Sequence, residues 1–400
     1  MKDPDGIRQQ VVTVLKQQFF IKWQQEGPAR DHLVSRRTAT FKAKPVNPDR
    51  WQETGWDWCF KSSWVQAQRR HEGEFLKDTQ GPGVINLLVY DTAMIEDSND
   101  STVFGRRQCS SGDPMDIINA FGRQARRQNA EFVQHTGTQQ SSEIQHAGQE
   151  RLEGMLLDPR RPMADSQQTC DNRERRNLVV AWANSSFDEA TSPCDLQTHL
   201  LLWQQAFAAV KYIADKGICH RDISFRNVRV ESLNHVRVCD FDMAMVQNSE
   251  ASGANDRTGT VAFMATSILG PERRKYRPVY DCESVFWLCT LELLCRIGVG
   301  QTRENLANMM GPGRSISVIR SSKQSIVQSL TRVNVKKKAV WLESYYNLAA
   351  PKDWSLLCCL AELAKEFHNQ QYEIDYEGAE EFESTCFNRC IEIINQYVEH

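Results

Sequence analysis

Two segments in the second half of the chain carry side chains that are suited to chemistry. The run HRDISFRN, residues 220–227, offers the carboxylate of Asp222 and, five residues later, the amide of Asn227. Asp240 follows 13 positions after Asn227 (240 − 227). A carboxylate can orient an attacking hydroxyl, and carboxylate and amide oxygens are good ligands for Mg²⁺. The pattern indicates phosphoryl transfer, with Asp222 accepting the hydroxyl proton and Asn227 and Asp240 binding metal.

A helix and a hairpin are expected to position these residues. Apolar side chains recur every three or four positions over residues 196–214, and Gly217 follows as a helix stop. Residues 228–230 and 236–239 have the character of short strands joined by a Ser-Leu-Asn turn. The first segment then forms the loop between the helix and the hairpin, and Asp240 ends the second strand.

The rest of the chain gives coarser predictions. Residues 7–24 place apolar side chains near helical spacing, which predicts an amphipathic N-terminal helix. Residues 33–62 alternate in the manner of strands, and residues 63–78 favour a helix. The remaining predicted elements are two strands and two helices, at residues 84–90, 178–182, 281–296 and 354–367.

Residues 93–175 differ in composition from the rest of the chain. They are rich in Gln, Ser, Arg, Asp and Gly and poor in apolar residues, apart from a short predicted helix at 116–121. Such a composition buries too little apolar surface to offset the entropy of ordering the chain. We expect a flexible insertion here.

Composition narrows the class of protein. The chain has 400 residues, 40% hydrophobic and 25% charged, which suits a globular protein with two cores. The net charge of −3 argues against binding to nucleic acid or to acidic membranes. The sequence contains no run of 18 apolar residues, so we expect no membrane-spanning helix. The 13 cysteines, odd in number and irregularly spaced, favour reduced thiols over disulfides or a zinc site. We expect an intracellular protein, cytoplasmic or nuclear, of undetermined oligomeric state.

The motifs resemble those of a known family. HRDISFRN followed by VCDFD resembles the catalytic and metal-binding loops of eukaryotic protein kinases. More narrowly, the chain resembles the fungal-type protein kinases in four features: HRDIS, DFD in place of DFG, the GTxxFMA pattern at residues 259–265, and Asp-x-Glu-Ser beginning at Asp281. FKSSWVQAQRRHEGEFL and NRERRNLVV add weaker similarity. The resemblance covers about residues 35–92 and 172–300.

The resemblance implies an α+β, bilobal protein-kinase-like fold, with a small β-rich N-lobe and a larger, mainly helical C-lobe. Residues 1–30 would be an N-terminal helical extension. The N-lobe would occupy residues 31–92, with its last strand and hinge at 176–190 after the insertion. The helical C-lobe with the catalytic loop would occupy residues 191–400.

The resemblance also implies an ATP site and its cofactor, Mg²⁺. Lys61 would hold the α- and β-phosphates and pair with Glu72, with Glu74 as the competing partner. Asp240 would bind Mg²⁺ together with Asn227.

Further roles are implied for the loops. Arg221 resembles the arginine that anchors a negatively charged activation segment, and Asp256, three residues before Gly259, is our candidate for its partner. Thr260 matches the serine/threonine kinases. Three residues would be structural: His220 and Phe241 as core packing, and Asp281 as a brace for the catalytic-loop backbone.

Several positions depart from the pattern. Residues 35–38 contain no glycine where a phosphate-binding loop is expected, and Asp242 replaces a glycine. Ser224 stands where serine/threonine kinases carry lysine, whereas Arg226 matches tyrosine kinases. Ala265-Thr266-Ser267 replaces Ala-Pro-Glu, so the glutamate that would pair with a C-lobe arginine is missing.

We therefore expect an ATP-dependent protein kinase that acts on a protein hydroxyl, serine or threonine rather than tyrosine. The departures keep two alternatives open. One is a pseudokinase that serves as a scaffold or binding module. The other is a small-molecule kinase of the choline or aminoglycoside phosphotransferase type, against which the GTxxFMA pattern argues.

Overall fold

A computed structural model of the chain describes the following residues: 9–22, 38–46, 57–66, 69–92, 173–183, 185–191, 194–231, 235–247, 259–270, 275–298, 301–310, 314–331, 351–370 and 379–398. Apart from Arg173, all of them fall in one structural unit. The fold is a mixed α/β arrangement.

A six-stranded sheet gathers the strands of the N-terminal part of the chain. Its strands are β1 Gln9–Val14, β2 Gln17–Lys22, β3 Thr38–Pro45, β4 Trp58–Gln66, β5 Leu87–Thr92 and β6 Arg173–Ala181. The order across the sheet is β1-β2-β3-β4-β6-β5. A separate small core lies on this sheet, formed by Val14, Phe19, Ile21, Ala43, Phe60, Val89 and Val179.

The predicted N-terminal helix is wrong, because β1 and β2 form an antiparallel hairpin. Val14, Phe19 and Ile21 are buried at alternating positions of the strands, and the β-branched run Val-Val-Thr-Val favours a strand. Leu15 and Lys16 form the two-residue turn with φ of 44° and 65°. Such turns normally use Asn or Gly, so this one lacks a sequence signal.

The helix predicted over residues 63–78 is largely wrong, because β4 continues to Gln66 and is paired with β3 as far as Ser63. The helix, α1, spans only Glu72–Asp78. His71 caps it, since its Nδ1 accepts a hydrogen bond from the Gly73 amide at 2.9 Å.

Two strand predictions shift in their bounds. The strand predicted from residue 84 begins at Leu87, and Val84 instead forms an isolated parallel bridge with Val238. β6 begins at Arg173, so the last three residues of the predicted insertion belong to a strand. Residues 93–172, the rest of that insertion, lie outside the described part of the chain.

The C-terminal half is mainly helical. The helices among its described residues are α2 Phe187–Thr191, α3 Leu196–Asp215, α4 Pro278–Ile297, α5 Gln301–Met310, α6 Ile316–Thr331, α7 Pro351–Gln370 and α8 Ala379–Val398. The α3 prediction is confirmed: Asp195 caps its start, and Gly217 follows its end with φ of 70°. α4 is buried along almost all of its length and contacts α3, α7 and α8.

Short strands link the helices to the sheet region. β9 Val228–Glu231 and β10 His235–Val238 form the predicted hairpin, which β7 Ser185–Ser186 extends on the β9 side. β8 Ile218–Cys219, which precedes the catalytic loop, pairs with β11 Met245–Val246. A 3₁₀ turn at Phe241–Met243 comes just before β11. Within the described residues, no helix combines the length and apolar character needed to cross a membrane.

Candidate active site

The loop that carries Asp222 is braced by the first turn of α4. The amides of His220 and Arg221 donate to the carboxylate of Asp281 at 2.6 and 2.9 Å, and the Tyr276 hydroxyl donates to it at 2.8 Å. Asp281 is only 2% exposed, and burial raises its pKa. Arg221 has a left-handed backbone, with φ of 70°. The brace therefore holds a strained backbone beside Asp222.

The carboxylate of Asp222 has a fixed orientation. Its Oδ1 accepts hydrogen bonds from the amide and the hydroxyl of Thr260, at 2.8 and 2.9 Å. Its Oδ2 accepts from Nδ2 of Asn227 at 3.0 Å, and the same nitrogen donates to the Asp222 carbonyl at 2.8 Å. An acceptor held by three donors can orient an incoming hydroxyl without first reorganising.

Lys61 lies at the centre of a carboxylate cluster. From β4, its Nζ is 2.7 Å from Glu72, 2.7 Å from Asp240 and 3.1 Å from Asp242. Glu74 does not take this place, since it pairs with Arg70 at 3.1 Å on the surface of α1. The structure therefore brings together Lys61, Glu72 and Asp240, and it adds Asp242.

Burial and charge oppose each other at this cluster. Burial by itself lowers the pKa of Lys61, but Asp240, Asp242 and Glu72 raise it well above its ordinary value. Burial raises the pKa of Glu72 well above its ordinary value, with Lys61 acting in the opposite direction. Three carboxylates face one ammonium group, so the cluster attracts further positive charge.

The strand end that carries Asp240 is held in place by the buried residue that follows it, Phe241. Phe241 is fully buried, its amide donates to Glu72 at 2.9 Å, and its ring meets the ring of His220 edge-on at 4.8 Å. Nε2 of His220 contacts the Cys239 carbonyl at 3.1 Å. Asp240 itself has a left-handed backbone, with φ of 67°, and a side chain that is 39% exposed. Its carboxylate can therefore reach a ligand from solvent.

A profile of the fungal protein kinase family matches residues 6–292. The chain belongs to this family. The resemblance inferred from HRDIS, DFD and GTxxFMA is thereby confirmed.

The chain is also similar to shorter stretches of several kinases. It is 26% identical over 128 residues to an interferon-induced, double-stranded RNA-activated protein kinase of Mus musculus, covering 29% of this chain and 24% of the relative. It is 37% identical over 79 residues to serine/threonine-protein kinase PSK2 of Saccharomyces cerevisiae, covering 20% and 7%. It is 34% identical over 92 residues to serine/threonine-protein kinase ppk34 of Schizosaccharomyces pombe, covering 23% and 25%. The chain thus spans a quarter or less of these relatives.

The family implies ATP and a divalent metal in general, and the side chains gathered around Lys61 offer donor atoms that fit a hard cation. Oxygens of Glu72, Asp240 and Asp242 lie within 4.8 Å of one another, and oxygen ligands are those that Mg²⁺ prefers. The Cys239 amide donates to the Asn227 carbonyl at 2.8 Å, which keeps Asn227 beside this strand end.

Two predicted features lie outside the described residues. One is Asp256, so the structure gives no contact for its expected pairing with Arg221. The other is the segment at residues 35–38, which lacks the glycine that a phosphate-binding loop would carry: residues 35–37 are not described, and Thr38 begins β3. The guanidinium of Arg221 lies 5.5 Å from the ring centroid of Tyr276.

A second polar cluster, which the sequence did not predict, contacts residues 264–266 at the end of the GTxxFMA segment. Glu283 accepts hydrogen bonds from Thr266, and the fully buried Lys323 donates to the Met264 carbonyl. The Asp-x-Glu-Ser motif contained Glu283, but nothing in the sequence pointed from it to Lys323, 40 residues further on (323 − 283).

Proposed function

We propose that this member of the fungal protein kinase family is an ATP-dependent enzyme that transfers a γ-phosphoryl group to a hydroxyl of a protein. One observation carries the proposal: Asp222 is held by Thr260 on one oxygen and by Asn227 on the other. A carboxylate fixed in this way is suited to orient the acceptor hydroxyl and to take its proton.

The surrounding residues would bind the nucleotide. Lys61, kept positively charged by its carboxylate neighbours, would neutralise the phosphates. Asn227 and Asp240 would hold Mg²⁺, which when bound balances negative charge on the phosphates. Glu72 would fix Lys61 and, through the amide of Phe241, the strand end as well.

A bilobal organisation would place this site in a cleft. The six-stranded sheet with α1 would form the N-lobe, from residues 31–92 and 173–190, with residues 93–172 as an insertion. Residues 191–400 would form the C-lobe. The first 30 residues would add the β1–β2 hairpin to the N-lobe instead of a helix.

Serine or threonine is the proposed acceptor. The contact between Thr260 and Asp222 supports it, because this threonine was the feature that matched serine/threonine kinases. The names of PSK2 and ppk34 as serine/threonine-protein kinases are consistent with it.

The test is transfer of labelled phosphate from ATP to a peptide library with one fixed Ser, Thr or Tyr. We expect labelling of Ser and Thr peptides and its loss, by about 10²-fold or more, in Asp222→Asn. The matched control is Asp188→Asn, the same substitution at an aspartate that is exposed on α2. Labelling of choline or an aminoglycoside, with no peptide labelled, would reject the protein acceptor in favour of a small molecule.

A binding module without catalysis is the second candidate, and one observation favours it. Asp242 stands 3.1 Å from Lys61 in place of a glycine, so the lysine already faces three carboxylates. Nucleotide-dependent thermal stabilisation without any phosphoryl transfer would support this candidate.

A further inference from the structure

Three cysteines of α4 and α8 converge at one point inside the helical core. Their sulfur atoms all lie within 4.8 Å of one another, and those of Cys282 and Cys386 are 3.7 Å apart. Cys282, Cys386 and Cys390 are at most 2% exposed. Cys386 and Cys390 lie one helical turn apart, so they share a face of α8, and α8 packs against α4. The packing of the two helices therefore brings the three sulfurs together.

The spacing of the three sulfurs suits a bound metal ion. Thiolate sulfurs bind Zn²⁺ at about 2.3 Å in a tetrahedron, which places neighbouring sulfurs about 3.8 Å apart. The sulfurs of Cys282 and Cys386 already stand at that separation, and the other two pairs exceed it by at most about 1 Å. A disulfide would need about 2.05 Å, and all three cysteines are free. Small shifts of the side chains would therefore close the group on an ion.

The chemistry of the group selects the class of metal. Burial raises the pKa of the Cys282 and Cys390 thiols well above the ordinary value, so without metal these two side chains stay protonated. A metal ion displaces one proton from each thiol to solvent, and its positive charge then balances the thiolate charge that burial disfavours. Among the described residues, no fourth His, Cys, Asp or Glu joins the group. A set of sulfurs alone selects soft metals such as Zn²⁺ and Cu⁺ over Mg²⁺ or Ca²⁺.

The sequence contains half of a recognisable signal for this site. Three residues separate Cys386 from Cys390, and paired zinc ligands are typically separated by about two to four. The other half is missing, because the third sulfur belongs to a residue 104 positions earlier, in a different helix. The irregular cysteine spacing therefore predicted separate reduced thiols, whereas the packing of α8 against α4 gathers three of them.

We propose that Cys282, Cys386 and Cys390 form a structural site for a thiophilic d¹⁰ metal ion, Zn²⁺ or Cu⁺, that ties α8 to α4. Three sulfurs complete a trigonal Cu⁺ site, whereas Zn²⁺ takes a fourth ligand as well. Cys282 directly follows Asp281, which braces the catalytic-loop backbone, so the ion would hold the turn that carries this brace. The inference does not rest on phosphoryl transfer, because such an ion would stabilise a binding module equally well.

The test is the metal content of the 400-residue chain, expressed with added zinc and copper, purified without chelators and analysed by inductively coupled plasma mass spectrometry. We expect about one equivalent of zinc or copper in wild type and in Cys289→Ala, and less than about a tenth in Cys282→Ala. Cys289 is the matched control, because it is fully buried on the same helix and lies outside the three-sulfur group. Loss of a ligand should weaken binding by more than the roughly 10–100-fold that loss of an outer-shell partner costs. Metal retained by Cys282→Ala, or absent from wild type, would overturn the proposal.

Two measurements on the wild-type protein cover the case in which Cys282→Ala does not fold. X-ray absorption spectroscopy should show three sulfur neighbours at about 2.3 Å, and the absorption edge distinguishes zinc from copper. The melting temperature should fall when a chelator removes the ion, and it should recover with Zn²⁺ or Cu⁺ but not with Mg²⁺. Oxygen and nitrogen neighbours only, recovery with Mg²⁺, or a disulfide between Cys282 and Cys386 in freshly purified protein would each reject the site.

Discussion

Thr260 binds Asp222 twice, with its amide at 2.8 Å and its hydroxyl at 2.9 Å from the same carboxylate oxygen. The hydroxyl can be removed without loss of the amide contact. A hydrogen bond to a charged group contributes about 1.5–3 kcal/mol. Thr260→Val should therefore lower kcat roughly tenfold or more, with the KM for ATP unchanged. Thr260→Ser should retain activity, and a Thr260→Val enzyme with the wild-type kcat would show that the contact has no part in catalysis.

The contact between Lys61 and Glu72 gives a second prediction. Glu72→Gln removes the buried charge next to Lys61 and should lower kcat/KM for ATP at least tenfold, a loss of about 1.4 kcal/mol. Glu74→Gln is the matched control, because Glu74 forms an exposed pair with Arg70, which contributes less than about 1 kcal/mol. Steady-state kinetics at varied ATP distinguish the two. A larger effect in Glu74→Gln would move the partner of Lys61 to that residue.

Metal binding should depend on Asp240. Asp240→Ala removes the most accessible carboxylate of the cluster and should abolish Mg²⁺-dependent transfer. It should also weaken Mn²⁺ binding, measured directly by electron paramagnetic resonance in the presence of a non-hydrolysable ATP analogue. Near-normal turnover in Asp240→Ala, combined with loss in Asp242→Ala, would reassign the metal to Asp242.

Gly259 is required next to the catalytic loop. Its φ is 119°, and a Cβ added there would lie 2.6 Å from the Arg221 carbonyl. Gly217, with φ of 70° and open space around its would-be Cβ, is a control that isolates backbone strain from the clash. Gly217→Ala should cost about 1 kcal/mol of unfolding free energy. Gly259→Ala should cost more than that and also lower kcat, as measured by urea unfolding and kinetics. Equal costs would mean that the loop relaxes freely.

Lys323 should make stability depend on pH. Its pKa is about 7 in the folded protein, against 10.5 ordinarily. At a pH between these two pKa values, Lys323 is therefore protonated in the unfolded chain but not in the folded protein. Stability therefore rises with pH in that window, by up to about 1.4 kcal/mol per unit, and this contribution is flat below pH 7. The free energy of unfolding of wild type relative to Lys323→Met should increase by about 1–2 kcal/mol from pH 7 to 8.5. The comparison cancels the cysteine titrations that both proteins share. A constant difference would contradict the lowered pKa.

Local patterns determined the helix that leads into the catalytic loop and the hairpin that follows it. Residues 196–215 carry both a continuous apolar stripe and a glycine stop, and residues 228–238 carry short β-branched runs around a turn. These signals lie within a few residues of the structure that they specify. The positions of Asp222, Asn227 and Asp240 in the sequence were therefore enough to assign the first two to the loop before the hairpin and Asp240 to the end of its second strand.

Tertiary structure decided what local patterns left open. The apolar residues between positions 9 and 22 fit both the spacing of a helix and the alternation of a strand. The pairing of β2 with β3 selects the strand. Between Glu72 and Glu74, two residues apart on α1, burial against the 3₁₀ turn selects Glu72 for Lys61. Lys323 is an ordinary surface residue by sequence, and only the packing of α6 against the segment at residues 264–266 buries it. Contacts between residues far apart in the chain depend on how the elements pack, and no local pattern of residues encodes that packing.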